Sequence, residues 1–201
     1  MNSESIPEYK IILASNSSIR QKILEDSGIS FEVVPSEVEE EELKQSLSGN
    51  NFREYCLTLA KAKALDVSKK KKNAYVIGSD QICSYGEELF SKPLTKENCF
   101  KTLSKLSGNT HYQNCGISIC KNGKEIWSHY AQAALTMKSL SDREIRDYID
   151  KDEPFMACGA YRFESLGKNL FLTTKGDETT IQGLTLNPII NFLTSKKVIN
   201  L

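Results

Sequence analysis

The acidic residue best placed for chemistry is Asp80, which follows an apolar run at residues 74–77 and then Gly78 and Ser79. A continuous apolar run of this kind is typical of a strand covered on both faces. A carboxylate at the end of such a strand lies where α/β sheets usually bind ligands. We therefore predict that Asp80 holds a divalent metal or activates a water molecule. The alternative is an aspartate that caps a helix or stabilises a turn.

A second candidate is the segment 13–20, Leu-Ala-Ser-Asn-Ser-Ser-Ile-Arg. Here a predicted strand passes into a predicted helix through small hydroxyl residues, and Arg20 follows in the first turn. Free N–H groups at a helix start, the positive end of its dipole, hydroxyls and a guanidinium can converge on a phosphate. The alternative is a serine-capped helix with a solvent-exposed arginine.

Two lysines could add positive charge to such a site. Lys63 lies on a predicted amphipathic helix, and Lys92 precedes Pro93, which fixes the backbone that carries its ammonium. Either lysine alone is typical of a solvated surface. Together with Arg20, Asp80 and the serine-rich helix start, they supply charge neutralisation, a metal ligand and a base, as phosphoryl transfer requires.

The segment 159–167 has glycines at both ends and contains Tyr161 and Glu164. Such a segment can form a wall for a flat ligand, and the carboxylate of Glu164 can accept hydrogen bonds from the edge of a base. A glycine-rich turn with a buried tyrosine is the alternative. The segment 183–188 is predicted to be a structural turn followed by a helix start.

The elements that must position these residues alternate along the chain. Strands are predicted at 9–14, 31–35 and 74–83, helices at 19–27, 51–68, 95–106 and 141–150, a hairpin at 112–120 and 124–137, and a last helix near 188–195. Residues 36–50 are predicted to be an exposed, mobile loop. Early strand–helix alternation followed by a long hairpin indicates an α/β fold with a mixed β-sheet. We treat residues 1–201 as one domain.

Composition excludes several functional classes. The 26 basic and 26 acidic residues cancel, and the pI near 6.7 gives no field that would draw the chain onto nucleic acid or an anionic membrane. No apolar stretch is long enough to span a bilayer, and no secretory leader is recognisable, which predicts a cytoplasmic protein. The six cysteines form no CxxC pair, and we therefore expect them to be reduced thiols. Cys115 and Cys120 fall on opposite faces of a predicted strand, so they cannot share a zinc ion. Two histidines, His111 and His129, offer little for a histidine triad.

Six segments carry a resemblance to a known family when they are taken in order. They are 13–20, 77–81 (Ile-Gly-Ser-Asp-Gln), 90–93 (Phe-Ser-Lys-Pro), 106–111 (Leu-Ser-Gly-Asn-Thr-His), 158–161 (Cys-Gly-Ala-Tyr) and 183–186 (Gly-Leu-Thr-Leu). They resemble the motifs LASxSPRR, (I/L)GADT, xxKP, LSGxxH, AGAY and GLPL of the Maf family of nucleoside triphosphate pyrophosphatases, also called septum-formation inhibitor proteins.

The resemblance implies a mixed sheet flanked by helices, with two lobes around a nucleotide cleft as in inosine triphosphatases. It implies hydrolysis of a nucleoside triphosphate to the monophosphate and pyrophosphate, with Asp80 as the proton acceptor. It also implies that Mg²⁺ or Mn²⁺ is held by Asp80 and Glu40, and that the phosphates are bound by Ser15, Arg20, Lys63 and Lys92. No nucleic acid or membrane is implied, and a homodimer is one option for the assembly state.

The chain departs from the family motifs at three positions associated with the choice of base: Ile19, Gln81 and Glu164. A glutamate at position 164 resembles the branch that acts on 7-methylated GTP, because a carboxylate can accept two N–H bonds from a guanine-like edge. Ile19 removes a positive charge and weakens the expected hold on the triphosphate. Two rival functions therefore stay open: a nucleotide-binding regulator of cell division with little turnover, and an enzyme of the inosine/xanthosine triphosphatase type.

Overall fold

A computed structural model describes residues 9–40, 42–43, 47 and 51–200. Its strands are β1 (Lys10–Leu13), β2 (Glu32–Val33), β3 (Ala74–Tyr85), β4 (Glu88–Phe90), β5 (Thr110–Lys121), β6 (Lys124–Met137) and β7 (Phe171–Lys175). Its named helices are α1 (Ser18–Asp26), α2 (Phe52–Lys70), α3 (Lys96–Leu106), α4 (Asp142–Asp152), α5 (Glu178–Ile181) and α6 (Leu186–Ser195), with a 3₁₀ helix at Leu166–Leu170. Among these described residues the strands form a seven-stranded sheet in the order β2-β1-β3-β5-β6-β7, and β4 also pairs with β3.

The sheet is mixed, as predicted. β1 runs parallel to β2 and β3, whereas β3 is antiparallel to β4 and β5, and β6 is antiparallel to β5 and β7. The hairpin between β5 and β6 turns at Asn122 and Gly123, both with positive φ, as a two-residue turn of this type requires.

β3 corrects one prediction about Asp80. The strand does not end near this residue but continues to Tyr85, so Asp80 lies in its interior. The strand continues because β5 pairs with it from Val76 to Ser84 and β4 pairs with its last residues. The neighbouring parallel strand β1, however, pairs with β3 only as far as Ile77. Asp80 therefore lies just beyond the end of the parallel part of the sheet.

Local signals explain where the helices begin and end. Ser141 and Glu144 form the predicted capping box of α4, and the Thr95 side chain accepts a hydrogen bond from the backbone N–H of Asn98 at the start of α3. Gly28, with φ of 76°, follows α1 as predicted. Part of the predicted loop at 36–50 is helical, because Glu40, Glu42 and Leu43 have helical backbone conformation; residues 41, 44–46 and 48–50 lie outside the described residues.

Buried apolar side chains fall into three clusters. Two clusters cover opposite faces of the sheet around β1 and β3, and Cys115 belongs to one and Cys120 to the other, as their spacing predicts. The third cluster lies around α3, α4 and the far parts of β5, β6 and β7. All six cysteines are free thiols. None of the helices within the described ranges is long and apolar enough to cross a membrane.

Small residues let α2 approach the sheet closely. A Cβ atom added at Gly78 would lie 2.2 Å from the backbone oxygen of Ala60, and one added at Gly116 would lie 2.5 Å from the backbone carbon of Cys56. Side chains at these strand positions would push the helix away from β3 and β5. The two glycines thus fix the helix–sheet distance that brings Lys63 of α2 to Asp80 of β3.

We expect the substitution Gly78→Ala to destabilise the protein by about 3 kcal/mol, because the new methyl group meets helix backbone that cannot give way. Gly28→Ala is the control: it adds a methyl in open space at positive φ and is expected to cost about 1 kcal/mol from backbone strain alone. Urea unfolding at 25 °C measures both free energies. Equal losses for the two variants would show that the close approach of α2 does not limit packing at Gly78.

Candidate active site

A buried ion pair lies at the centre of the site. Nζ of Lys63 donates a hydrogen bond to Oδ1 of Asp80 over 2.7 Å and is 2.9 Å from Oε1 of Glu40. Asp80 is 6% exposed and Lys63 is 7% exposed. Two carboxylates thus converge on one ammonium group, on the face of the sheet that α2 covers.

The electrostatics of this centre suit a base. Burial raises the pKa of Asp80 above that of an ordinary aspartate, while the nearby charges of Lys63 and Arg20 oppose that rise. The carboxylate is therefore a stronger proton acceptor than a solvent-exposed aspartate, and the charges of Lys63 and Arg20 favour its ionised form.

The strand-to-helix corner at residues 13–20 lies next to this centre. Arg20 reaches across to β3, where Nη1 donates to the backbone oxygen of Ser79 over 2.9 Å and lies 3.4 Å from Oγ of Ser15. Its Nε donates to the backbone oxygen of Gly183 over 2.8 Å. Ser17 occupies the N-cap position of α1, and its side chain makes no capping hydrogen bond within the described structure. The first N–H groups of α1 thus remain available to a ligand.

Gln81 is held by the protein rather than directed at Asp80. Its Nε2 donates to the backbone oxygens of Thr180 and Ile181 over 3.1 and 2.6 Å. The turn at Gly183 is tied to the same strand, because Oγ of Ser79 donates to the Gly183 backbone oxygen over 2.7 Å. Gln81 therefore fixes the position of residues 180–183.

Two of the three departures from the family motifs line one cavity. Ile19 and Glu164 border a cavity of about 260 Å³ together with Lys22, Ile23, Asp26, Phe163, Ser165, Lys168, Glu178 and Gln182. Two residues that line the cavity, Ile19 and Gln182, directly precede Arg20 and Gly183 in the chain, and Arg20 donates a hydrogen bond to the backbone oxygen of Gly183. The volume of the cavity is below that of pockets that enclose a whole drug-sized ligand, and it suits one part of a nucleotide.

Most of the predicted site residues thus form two groups. Ser15, Arg20, Lys63, Asp80 and Glu40 lie together, and Ile19 and Glu164 lie at the cavity. Lys92 is exposed after β4 and makes no hydrogen bond or ion pair with any residue in the described ranges. The structure assigns it no contact with the other site residues.

Some contacts of the site were not predicted from the sequence. The sequence predicts a structural turn at residues 183–188, and that turn also supplies a backbone oxygen that accepts hydrogen bonds from both Arg20 and Ser79. Gln182, Lys22 and Glu178 line the cavity without belonging to any motif. Only their proximity in the fold identifies them.

Comparisons with known proteins identify the family of the chain as a whole. Residues 10–196 match the family model described as Maf-like protein. The chain is 40% identical to the nucleoside triphosphate pyrophosphatase of Legionella pneumophila (strain Corby) over 99% of this chain and 100% of that protein. It is 37% identical to the 7-methyl-GTP pyrophosphatase of Brucella abortus biovar 1 over 95% of this chain and 98% of that protein. The solved structure of the Staphylococcus aureus Ham1 protein matches 93% of this chain and 99% of that chain with 16% identity and a TM-score of 0.47. The family model covers most of the chain, and the protein therefore belongs to the Maf-like family.

Proposed function

We propose that this protein hydrolyses a nucleoside triphosphate to the nucleoside monophosphate and pyrophosphate. The observation that carries the proposal is the buried pair of Asp80 and Lys63 beside the strand-to-helix corner formed by Ser15, Arg20 and the start of α1. The names of the relatives from Legionella pneumophila and Brucella abortus support the same reaction class.

In the proposed mechanism, Asp80 accepts a proton from a water molecule whose oxygen forms a bond to the α-phosphorus. The bond between that phosphorus and the bridging oxygen breaks, and the electron pair leaves with pyrophosphate. Lys63 and the free N–H groups of α1 offset the negative charge on the phosphoryl oxygens, and Lys92 adds a further cation from the exposed side. Arg20, already bound to two backbone oxygens, contributes charge from a fixed position.

Asp80 and Glu40 would hold the divalent cation, Mg²⁺ or Mn²⁺. The described residues contain no cluster of three or more carboxylate, cysteine or histidine side chains that could hold a metal alone. Mg²⁺ is commonly bound by one or two carboxylates plus substrate phosphates, so this pair fits a cation that arrives with the nucleotide. When bound, such an ion polarises phosphoryl oxygens. Lys63 occupies the position between the two carboxylates and would move toward the phosphates.

The cavity at Ile19 and Glu164 would receive the base. Ile19 and Phe163 give it apolar wall, and the carboxylate of Glu164 can accept two N–H groups from one edge of guanine. A positively charged 7-methylguanine would gain further from that carboxylate. We therefore propose that Glu164 recognises the base by accepting its hydrogen bonds and that 7-methyl-GTP is the preferred substrate.

Gln81 would act indirectly, by holding the segment that carries Gln182. A cytoplasmic location agrees with such a substrate.

A nucleotide panel tests the proposal. It includes 7-methyl-GTP, GTP, ITP, XTP, ATP, CTP, UTP and dTTP, with Mg²⁺ or Mn²⁺ and with monophosphate and pyrophosphate resolved. Pyrophosphate from 7-methyl-GTP above all others is the expected result. A panel dominated by ITP and XTP would instead favour an inosine/xanthosine triphosphatase, and tight binding with no product under either metal would favour a regulator with little turnover.

Glu164→Gln is expected to reduce discrimination between GTP and ITP, which differ only by the 2-amino group. The amide can accept one N–H group and presents its own N–H₂ to the other, so the ratio of kcat/KM for GTP to that for ITP should fall roughly tenfold. Steady-state kinetics with both nucleotides measure this ratio. Glu178→Gln is the control, because Glu178 is another carboxylate at the same cavity. An equal fall of the GTP-to-ITP ratio in both variants would show that Glu164 has no specific role in recognising the base.

A further inference from the structure

Asp152 occupies a position that is costly for a carboxylate. It is the last residue of α4, where the negative end of the helix dipole disfavours an anion, and it is only 4% exposed. Among the residues that the structure describes, the one cationic atom that pairs with it is Nη1 of Arg162, at the 4.0 Å limit of an ion pair. Helix formation and packing therefore do not account for an aspartate at this position.

The two oxygens of Asp152 bind hydroxyl groups from different elements. Oη of Tyr148, on α4, donates to Oδ2 over 2.8 Å, and Oγ of Ser165 donates to Oδ1 over 2.6 Å. Tyr148 also accepts a hydrogen bond from the backbone N–H of Arg162 over 3.0 Å. Asp152 and Tyr148 thus fasten the chain to α4 on both sides of Glu164.

The turn between these fixed points leaves little freedom. The backbone N–H groups of Ser165 and Gly167 both donate to the backbone oxygen of Arg162 over 3.1 and 3.0 Å. A Cβ atom at Gly167 would lie 2.4 Å from that oxygen, so glycine is required for this close approach. Because the turn is tight, the positions of Arg162 and Ser165 determine the position of Glu164.

Arg162 also connects the two carboxylates electrostatically. Its Nε is 3.5 Å from Oε1 of Glu164, and its Nη1 donates to the backbone oxygen of Asp152 over 3.4 Å. The charge of Asp152 draws the guanidinium toward α4. Without that charge, Arg162 would pair more closely with Glu164 and occupy the oxygens that a base would use.

We propose that Asp152 is a positioning residue for base recognition. It orients Glu164 through Ser165 and holds Arg162 away from full pairing with it. This inference rests on the proposed function, in which Glu164 reads the base. It adds a specificity determinant that lies on α4, does not line the cavity and belongs to none of the sequence motifs.

The test compares Asp152→Asn with wild type in the ratio of kcat/KM for GTP to that for ITP. The expected fall in this ratio is roughly fivefold to tenfold. Asp147→Asn is the matched control, because Asp147 lies on the same helix, is 58% exposed and, within the described ranges, pairs with Arg143 alone, at 3.8 Å. A loss of packing alone would lower kcat/KM for GTP and kcat/KM for ITP by the same factor and leave their ratio unchanged.

A second variant keeps the test decisive if Asp152→Asn does not fold. Ser165→Ala removes one hydrogen bond at an exposed residue, and it should lower the same ratio. Where both variants fold, the double variant should lower the ratio by less than the product of the single effects, because both changes act on the same hydrogen bond between Ser165 and residue 152. Multiplicative effects would place Ser165 in direct contact with the base and overturn the role of Asp152.

Different variants test the role of Asp152 and the role of Glu164. If Glu164→Gln lowers the ratio but Asp152→Asn and Ser165→Ala leave it unchanged, Asp152 is not a positioning residue and base reading by Glu164 stands. If Glu164→Gln also leaves the ratio unchanged, base reading at this cavity is wrong and the inference about Asp152 falls with it.

Discussion

Replacing Asp80 by asparagine is expected to reduce pyrophosphate release by roughly a thousandfold, because the amide cannot accept a proton from water as the carboxylate does. The shape of the side chain is conserved, so the fold should be retained. The nucleotide should still bind, since the phosphates contact Ser15, Arg20 and Lys63 in the proposed complex. We expect the loss to appear in kcat.

Single-turnover kinetics and equilibrium nucleotide binding measure the two parts of this prediction. Asp150→Asn serves as a control for the same chemical change, because Asp150 is exposed and pairs with Lys96 rather than with Lys63. An Asp80→Asn variant that releases pyrophosphate at close to the wild-type rate, with unchanged affinity, would remove Asp80 from the catalytic role.

The second large effect is expected for Lys63→Met. Activity should fall because the phosphates lose a buried cation, and it should fall most at acidic pH. The charge of Lys63 lowers the pKa of Asp80 in opposition to burial, so its removal raises that pKa further. With Asp80 as the base, we expect the acid limb of kcat/KM to lie above the ordinary aspartate pKa of about 3.9 in the wild type and to move to higher pH in the variant.

Stability should change with pH in the same variant. A buried carboxylate without its cation is expected to cost about 3 kcal/mol at pH 7. Because the pKa of Asp80 is higher in the folded state than in the unfolded state, the folded state binds more protons between the two values. The free energy of unfolding of Lys63→Met should therefore be greatest at acidic pH and fall as pH rises through the folded pKa.

Lys61→Met is the matched control for this prediction. Lys61 lies on the same helix, is 48% exposed and pairs with Glu125 over 3.0 Å, so its loss should cost less than 1 kcal/mol and leave the pH profile in place. Urea unfolding from pH 5 to 8 and kcat/KM over the same range measure both variants. An acid limb unmoved by Lys63→Met would show that Lys63 does not set the ionisation of Asp80.

Much of the fold follows from local sequence patterns. The apolar run before Asp80 predicts a buried strand, Asn122 and Gly123 predict the hairpin, and Ser141 with Glu144 predicts the start of α4. The end of β3 could not be predicted in the same way. Asp80 and Gln81 look like the end of a strand, and only pairing with β4 and β5 shows that the strand continues.

The sequence predicts which residues the candidate site contains, but it does not predict how they are arranged. Lys63 looked like a solvated helix residue, because the sequence does not show how closely α2 approaches Gly78 and Gly116. Asp152 has no signal in the sequence at all, since its role depends on Ser165 and Tyr148 meeting it in space. Contacts between distant segments are set by packing, and a single sequence does not report packing.

The most direct test of the central claim is hydrolysis of 7-methyl-GTP or GTP in ¹⁸O-labelled water, with the products separated and their isotope content measured. We expect equal amounts of monophosphate and pyrophosphate, with the ¹⁸O label in the monophosphate, because water attacks the α-phosphorus beside Asp80. Inorganic phosphate with a nucleoside diphosphate, or label in the pyrophosphate, would contradict it.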